Sequence, residues 1–319
     1  MPSLPRISVC FLSYNHAAVL RDTLQSVLAQ SFEDFELIVS DDRSRDASWE
    51  IIQELANVDH RIRAIRPDRN VGMAENANFA VAHARASYVA LLHHDDICRP
   101  DLLQRWFDLI DQNDTVGFVS NAFAIGAASQ VDYHPFQTVT PGVWALEKQL
   151  LGRWDCPVRG TGMIRKSAWV AVGGMRPRFG LIADVDLWMR LAAVWDVGYI
   201  AEPLLTVQAV RPEDYPDDYV MFSWNRLRLL FEIHGVNREE FYSNRPLRAK
   251  AELLKFRLRL GLAELRWLGY AIVKRRPEML LSSDQVENVY ELGASRLIRR
   301  TLQRAAQLVV APRSDGGQE

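Results

Sequence analysis

The chain has 319 residues, of which 48% are hydrophobic and 24% are charged, and its formal net charge at pH 7 is -2. These values are typical of a folded globular protein and exclude a general attraction to nucleic acid, so we expect no nucleic-acid partner. No uninterrupted apolar run approaches the roughly 18 residues that a membrane span requires. Residues 1–15 contain a broken apolar run that fits a first strand better than a signal peptide. The scattered cysteines Cys10, Cys98 and Cys156 predict buried thiols in a reducing cytosol.

The first 125 residues alternate between β-rich runs and helical periodicity. This alternation predicts a parallel, doubly wound α/β sheet with helices on both faces, in which ligands bind at the carboxyl ends of the strands. Asp41–Asp42 and Asp95–Asp96 both follow predicted strands, so we expect both acidic pairs at that edge. The predicted strands are 7–12, 35–40, 61–65, 87–93 and 116–125; the predicted helices are 17–30, 48–57, 74–86 and one that Pro100 opens at its first position.

The pattern changes after residue 125. Residues 126–180 predict a loop-rich region, followed by a helix at 184–195 and a strand at 197–200. From about residue 213 the periodicity is helical again. We therefore predict a catalytic domain over 1–212, a helical C-terminal extension over 213–312 and a disordered tail over 313–319.

Adjacent carboxylates at a strand end repel each other and need a donor or a cation to offset that cost. For Asp41 and Asp42 two interpretations stay open, a turn with a helix cap and a contact to a nucleobase or ribose. Asp46 or Ser48 is predicted to cap the following helix.

His93, His94, Asp95 and Asp96 stand in a row after a buried strand. This composition favours Mg²⁺ or Mn²⁺ bound together with a substrate phosphate over a purely structural role. A zinc site would need further ligands at suitable spacing, which are absent. The remaining histidines are isolated in the sequence and are predicted to be structural or exposed: His16, His60, His83, His134 and His234.

Asp184 and Asp186 open a helix with an apolar face. A carboxylate at a helix N-terminus is stabilised by the helix dipole, so capping is the simplest role for both. A carboxylate that faces the ligand cleft there can also act as a general base.

Four other motifs are absent. SYNHAAV (13–19) lacks the glycines of a dinucleotide-binding loop and of a nucleotidyltransferase loop, GTGMIRKS (160–167) does not complete a phosphate-binding P-loop, and no G-x-S-x-G elbow occurs.

As an ordered set, the motifs resemble the family-two glycosyltransferases. The resemblance spans residues 5 to about 205. It depends on five motifs in the order of the family: the strand, S-Y-N and D-D-x-S-x-D pattern of 7–46, the N-x-G of NVGMAENAN (70–78), the D-x-D region LLHHDDICRPD (91–101), VGGMRPRF (172–179) and ADVDLWMRLA (183–192). It implies a Rossmann-like nucleotide-diphospho-sugar transferase sheet and an inverting transfer of a sugar to an acceptor hydroxyl.

The resemblance also implies site residues. Asp184 would be the catalytic base, and Asp95 would ligate Mg²⁺ or Mn²⁺ with support from Asp96 and with His93 as a weaker ligand. Asp42 would contact the nucleoside with Asp41 beside it. The further donor-binding positions would be Ser13, Asn15, Asn70, Gly72, Asn78 and Arg211.

Three positions depart from the family pattern. His93 replaces the first aspartate of the D-x-D, Ala183 replaces the glutamate before the base, and the histidine expected after EPL (202–204) is missing, so Arg211 is a substitute phosphate ligand. These departures keep one alternative open, a degenerate sugar-nucleotide-binding or scaffold protein without turnover. No Q-x-x-R-W follows the base helix, so a processive polymerase is not expected.

Segment 245–276 contains ten Lys and Arg residues and two Glu residues among many apolar ones. One interpretation is helical packing with the basic side chains reaching water. The other is peripheral contact with an anionic membrane, where a glycan or lipid-linked acceptor would be met. We accordingly predict a cytoplasmic enzyme of cell-surface glycan synthesis, peripheral on the inner face of the membrane.

Overall fold

The computed structural model describes residues 4–126, 130–153, 156–207, 224–256 and 258. The chain divides into two compact units, Met1–Tyr219 and Val220–Glu319. Arg211 and the predicted domain boundary after residue 212 lie in 208–223, outside the described residues. The predicted tail at 313–319 also lies outside them.

The first unit begins with alternating strands and helices. These are β1 (Ile7–Ser13), α1 (Ala17–Leu28), β2 (Phe35–Asp41), α2 (Ser48–Val58), β3 (Ile62–Ile65), α3 (Met73–Ala82), β4 (Tyr88–His93), β5 (Asp96–Cys98), α4 (Leu102–Asp111) and β6 (Val116–Ile125). The predicted strands and helices of this region are confirmed to within a few residues, because each has a buried apolar pattern of the right period. The short strand β5 was not predicted.

The second half of the unit contains more regular structure than the sequence predicts. Its elements are β7 (Gln130–Asp132), β8 (Val139–Thr140), α5 (Gly142–Trp144) with a π-helical continuation (Ala145–Leu150), β9 (Gly162–Arg165), α6 (Lys166–Val172), a 3₁₀ segment (Pro177–Ile182), α7 (Ala183–Ala192) and β10 (Asp196–Val207). β10 is longer than predicted, since a register shift accommodates Pro203 within it.

The main path of the sheet has the order β3-β2-β1-β4-β9-β6-β10-β5. The first four strands in this order are parallel. Their register pairs Ser13 with Asp41 and Leu12 with His93. The polar ends of β1, β2 and β4 therefore meet at one edge of the sheet, as the strand–helix alternation predicts.

The predicted parallel pairing does not hold throughout the second half of the sheet, where β6 and β10 are parallel but two other strands are not. β9 is antiparallel to both of its neighbours, β4 and β6, and β5 is antiparallel to β10. β9 has only four residues, too few for a period to be recognised in the sequence. Strand β5 pairs Asp96 with Val207, so the chain reverses between β4 and β5 at His94 and Asp95.

Helix α4 begins after Asp101, so Pro100 lies outside the helix and not at its first position. Arg99 holds Asp101 there through hydrogen bonds of 2.5 and 2.7 Å to its two carboxylate oxygens. Two cysteines are buried as predicted, Cys10 and Cys98, whereas Cys156 is only half-buried.

The second unit contains α8 (Trp224–Phe241) and a further helix, α9, over 246–256. His234 is fully buried, and its ring stacks on Phe256 with centroids 4.5 Å apart. Among the described residues, no helix combines the length and the apolar content needed to cross a membrane.

Candidate active site

The loop after β1 is bound to the loop after β2. Asn15 has a positive φ of 52°, and its side-chain oxygen accepts a hydrogen bond from the Arg45 amide at 2.8 Å. The Asn15 amide donates to the Ser44 hydroxyl at 2.9 Å, and the Ser13 carbonyl accepts from the Asp42 amide at 2.9 Å. The structure thus brings Ser13 and Asn15 beside the Asp41–Asp42 pair, as the predicted donor site requires.

The Asp41 carboxylate is fully buried and well supplied with donors. It accepts hydrogen bonds from Arg66 Nε at 2.7 Å, from the Ser44 amide at 3.1 Å and from the Ser44 hydroxyl. Arg66 in turn lies over the ring of Trp49, with its guanidinium carbon 4.8 Å from the ring centroid. Asp41 therefore accepts the hydrogen bonds that hold the loop after β2 in place.

Asp42 accepts hydrogen bonds with both carboxylate oxygens from the next loop along the edge. The Val71 and Gly72 amides donate to it at 2.7 and 2.8 Å, and Asn70 Nδ2 donates to its carbonyl at 2.8 Å. Burial raises the pKa of Asp42, an effect that the two amide hydrogen bonds oppose. The predicted donor residues Asn70 and Gly72 thus lie at Asp42, and Gly72 has the positive φ of 84° that the sharp turn into α3 requires.

Asn78, also predicted to bind the donor, is occupied elsewhere. Its side-chain amide donates to the Met175 carbonyl and accepts from the Met175 amide, both at 2.9 Å. The same loop is held from its other side by Arg190, which donates to the carbonyls of Val172 and Gly174 at 2.5 and 2.7 Å. Asn78 therefore anchors the loop that precedes α7.

Asp186 is buried in the first turn of α7 and pairs with two arginines. Arg190 Nε donates to its carboxylate at 2.8 Å, and Arg176 lies 3.4 Å away. Asp46, by contrast, accepts from the amides of Ala17 and Ser48 at 2.9 and 3.0 Å, so it caps α1 as well as supporting the start of α2.

The turn between β4 and β5 contains the predicted metal ligands. One ligand atom from each of His93, Asp95 and Asp96 lies within 4.8 Å of the other two. Asp96 is 1% exposed, and its carboxylate accepts no hydrogen bond from any described residue. Arg159 is its ion-pair partner, with Nη2 3.5 Å from Oδ1.

The electrostatics of this turn follow from its burial. Burial raises the pKa of Asp96 to about 7, Arg159 opposes the shift and Asp95 adds to it. Burial also lowers the pKa of His93 to about 4, against the attraction of Asp95. At neutral pH His93 is therefore an uncharged imidazole.

His16 was predicted to be isolated, yet it contacts the same turn. Its ring lies against that of His94, with centroids 3.4 Å apart, and His16, His94 and Asp95 form a second group with ligand atoms within 4.8 Å. His16 Nδ1 lies 2.7 Å from the Tyr14 carbonyl, and His94 Nδ1 lies 3.1 Å from the Leu12 carbonyl. Sequence spacing gives no signal of this pairing, because 78 positions separate the two rings.

Asp184 reaches this turn across Gly160. A Cβ built on Gly160 would lie 2.6 Å from His93 Cε1, 3.1 Å from His93 Nε2 and 3.4 Å from Asp184 Oδ2. Any side chain at 160 would thus collide with the His93 ring. Because residue 160 has no Cβ, its backbone can lie close to both the predicted base and the predicted metal ligand His93. The sequence does not identify Arg159 or Gly160 as a site residue.

The parallel strand ends and the carboxylate-bearing turn define an α/β protein with a candidate ligand site at the carboxyl edge of its sheet. A family model described as Glycosyl transferase family 2 matches residues 8–168. The putative glycosyltransferase EpsE of Bacillus subtilis (strain 168) is 30% identical over 289 residues, which cover 80% of this chain and 99% of that protein. The chain therefore belongs to glycosyl transferase family 2, and the prediction that it is a glycosyltransferase is confirmed.

Other relatives match a shorter part of the chain. The putative teichuronic acid biosynthesis glycosyltransferase TuaG of the same Bacillus strain is 36% identical over 106 residues, which cover 33% of this chain and 42% of TuaG.

Two solved structures share the fold. One is TarS 1-349 of S. aureus in complex with UDP-GlcNAc, with a TM-score of 0.65, 17% identity and coverage of 96% of this chain and 88% of that one. The other is the mannosyltransferase PcManGT of Pyrobaculum calidifontis in complex with GDP-Man and Mn²⁺. Its TM-score is 0.56 at 17% identity, and the match covers 97% of this chain and 88% of PcManGT. Both confirm a mixed α/β sheet flanked by helices as the fold class.

Proposed function

We propose that this glycosyltransferase works by inversion, with Asp184 as the general base and the turn at 93–96 as the diphosphate end of the donor site. The observation that supports this most directly is the approach of Asp184 and His93 to the same backbone position, Gly160. A base and a leaving-group site must lie close together, and the shared approach to Gly160 supports this for Asp184 and the turn at 93–96.

The residues of the turn fit a divalent cation. Asp95 and Asp96 supply the carboxylate oxygens that Mg²⁺ and Mn²⁺ prefer, and the buried Asp96 carboxylate accepts no hydrogen bond from a described residue. The neutral His93 imidazole is a weaker partner for such a hard cation. A bound cation would offset the charge that develops on the leaving diphosphate.

The contribution of Asp184 is to accept a proton. The acceptor hydroxyl oxygen forms a bond to the anomeric carbon while the bond from that carbon to the diphosphate oxygen breaks, and the bonding electrons leave with the nucleoside diphosphate. The hydroxyl proton moves to the Asp184 carboxylate as attack proceeds. Direct displacement from the face opposite the leaving group inverts the anomeric configuration.

At the other end of the donor, the loops around Asp41 and Asp42 would receive the nucleoside. Both carboxylates already hold neighbouring loops in place. They would therefore position these loops for the nucleoside as well as offer it acceptor oxygens. The fold is shared with TarS bound to UDP-GlcNAc and with PcManGT bound to GDP-Man, so UDP- and GDP-sugars are the first donors to test. TuaG is named for teichuronic acid biosynthesis, which favours an acceptor in cell-surface glycan synthesis.

The test is nucleotide release from a panel of UDP- and GDP-sugars with Mn²⁺, for the wild type and for Asp184→Asn. We expect the variant to bind donor with nearly unchanged affinity and to lose about 10²- to 10⁴-fold in rate, the usual contribution of a positioned base. Asp114→Asn is a matched control, because it removes an exposed carboxylate remote in sequence from every motif. Near-native turnover in Asp184→Asn would show that another group is the base.

We also propose that segment 245–276 contacts anionic lipid. In its described part, Leu247, Leu254 and Leu258 are 83%, 54% and 62% exposed. Positions 247, 254 and 258 lie on one face of a helix, within about 40° of one another at 3.6 residues per turn. Basic side chains lie between them in the sequence: Arg248, Lys250 and Lys255. Apolar residues of this kind next to basic ones are typical of helices that lie in a membrane interface.

Liposome co-sedimentation tests the lipid proposal. We expect salt-sensitive binding to anionic vesicles and none to neutral ones, with loss of binding in a chain truncated before Arg245 and in Leu247→Gln/Leu254→Gln. Binding to neither vesicle at low salt would leave the segment a packing role alone.

A further inference from the structure

Arg159 places a fixed positive charge at the turn between β4 and β5. Its Nη2 lies 3.5 Å from Asp96 Oδ1, and its guanidinium carbon lies 5.0 Å from the centroid of the Phe123 ring. The side chain is 32% exposed, whereas that of Asp96 is 1% exposed. Part of the Arg159 side chain is therefore open to solvent, and hence to a ligand, whereas the carboxylate that it pairs with is not.

The backbone holds Arg159 in this position. The next residue, Gly160, passes so close to His93 and Asp184 that a Cβ there would contact both. Arg159 is thus fixed beside the predicted leaving-group site by its neighbour as well as by its own ion pair and its contact with Phe123. A guanidinium is always protonated and has a planar set of donors that suits phosphate oxygens.

The charge balance shows what this arginine changes. Asp95 and Asp96 supply two carboxylates, and His93 supplies no charge when it is neutral. With both carboxylates ionised, Arg159 reduces the local formal charge from -2 to -1. A less negative site attracts a divalent cation less strongly, and it repels a diphosphate less.

We propose that Arg159 is a built-in cation of the donor site, which pairs with Asp96 in the absence of ligand and binds the donor diphosphate when the nucleotide sugar enters. This inference rests on the proposed function, because it assigns a donor-binding residue to the same site. The arginine competes with the metal for Asp96 and also shares the metal's task of balancing the diphosphate charge. The enzyme consequently retains part of its nucleotide affinity without a metal ion.

The inference gives effects of opposite sign when Arg159 is replaced. In Arg159→Gln, affinity for Mn²⁺ alone rises, because both carboxylates become available to it. Affinity for UDP in the presence of EDTA falls, because the guanidinium that we propose to bind the diphosphate has gone. We expect roughly a tenfold change in each direction, about 1.4 kcal/mol, as for a partly exposed charge at this range.

The experiment measures Mn²⁺ binding by electron paramagnetic resonance and UDP binding by calorimetry in EDTA. Arg178→Gln is the matched control. Arg178 also lies over a phenylalanine, with its guanidinium carbon 4.6 Å from the centroid of the Phe179 ring. Unlike Arg159, it is exposed and forms no ion pair with a described carboxylate. We expect the control to change neither affinity. Arg159→Lys keeps the charge and should restore most of the UDP affinity in EDTA.

A second variant makes the test independent of the folding of Arg159→Gln. Asp96→Asn removes the partner that holds the guanidinium, so we expect weaker Mn²⁺ binding and stronger UDP binding in EDTA. If the affinities for Mn²⁺ and UDP fall together in Arg159→Gln, or if UDP binding in EDTA is unchanged in both variants, the inference is wrong. If the wild type binds neither UDP nor GDP with Mn²⁺, the proposed donor site itself fails, and the inference fails with it.

Discussion

Two acidic pairs follow two strands of the same sheet, and the structure treats them in opposite ways. Asp41 and Asp42 accept hydrogen bonds from Arg66, Ser44, Val71 and Gly72. Asp96 is as deeply buried, yet its carboxylate accepts no hydrogen bond from the described residues and has only Arg159 as an ion-pair partner. A buried carboxylate that accepts several hydrogen bonds contributes to the stability of the protein, whereas one that accepts none is costly to bury and is suited to a ligand that supplies the missing partner.

The largest expected effect in this comparison concerns Asp95 and Asp96, the pair that we propose binds the metal ion. Asp95 belongs to both groups of close ligand atoms, so Asp95→Ala should weaken Mn²⁺-dependent donor binding by more than about 100-fold. His93→Ala should weaken it only modestly, because a neutral imidazole is a poor ligand for a hard cation. Calorimetry of UDP binding at fixed Mn²⁺ measures both. Equal losses in the two variants would show that His93 is a full ligand.

The second effect concerns stability. Asp41→Asn should destabilise the fold by about 2 to 4 kcal/mol, because it removes the buried charge that pairs with Arg66 and replaces one of the two acceptor oxygens with an NH₂ group. Asp96→Asn should be neutral or stabilising in EDTA, since it removes a buried charge that lacks hydrogen bonds. Urea unfolding of the two variants checks the contrast. A similar destabilisation in both would contradict the distinction between the pairs.

A third buried carboxylate, Glu36, tests the same principle by pH. It accepts from Ser8 Oγ at 2.7 Å, from Arg63 at 2.8 Å and from the Arg85 amide and Nε at 2.8 and 2.9 Å. Burial acts to raise the pKa of Glu36, but these donors outweigh it and hold the pKa below its ordinary value of 4.5. Ionised Glu36 therefore stabilises the fold above that value, and this contribution is lost as the pH falls through the lower folded-state pKa.

We expect Glu36→Gln to be less stable than the wild type at pH 7 by about 1.5 to 3 kcal/mol, the range for hydrogen bonds to a charged group. The difference should shrink as the pH falls below 4. Unfolding midpoints of the wild type and the variant, measured from pH 7 to pH 3, test this. A stability difference that grows toward acid pH would contradict a lowered pKa of Glu36.

The smallest expected effect belongs to an exposed carboxylate. Asp46→Ala removes the acceptor of the Ala17 and Ser48 amides and should cost about 1 kcal/mol, as for the loss of a helix cap. Asp46→Asn keeps an acceptor oxygen and should recover most of that stability. Thermal unfolding of the two variants tests this. Equal unfolding midpoints would contradict the assignment of Asp46 as the acceptor that caps these helices.

The sequence by itself determined the alternation of strands and helices, the position of both acidic pairs at the strand ends and the class of enzyme. Apolar periodicity is a local property of the chain, and the carboxyl ends of β1, β2 and β4 meet because their strands are parallel. The motifs also predicted Asp184 and the group at 93–96 as site residues, which the structure brings to the same backbone position, Gly160. It did not predict β9, whose four residues are too short to show a period.

Only the tertiary structure decided what each carboxylate binds. Asp42 is held by backbone amides of residues 71 and 72, and a backbone amide leaves no mark in a sequence because every residue but proline has one. Arg159 meets Asp96 from a region without periodicity, next to Gly160, whose missing side chain permits the close approach of the backbone to His93. The partners that distinguish a structural aspartate from a ligand-binding one come from distant segments, so packing determines the distinction.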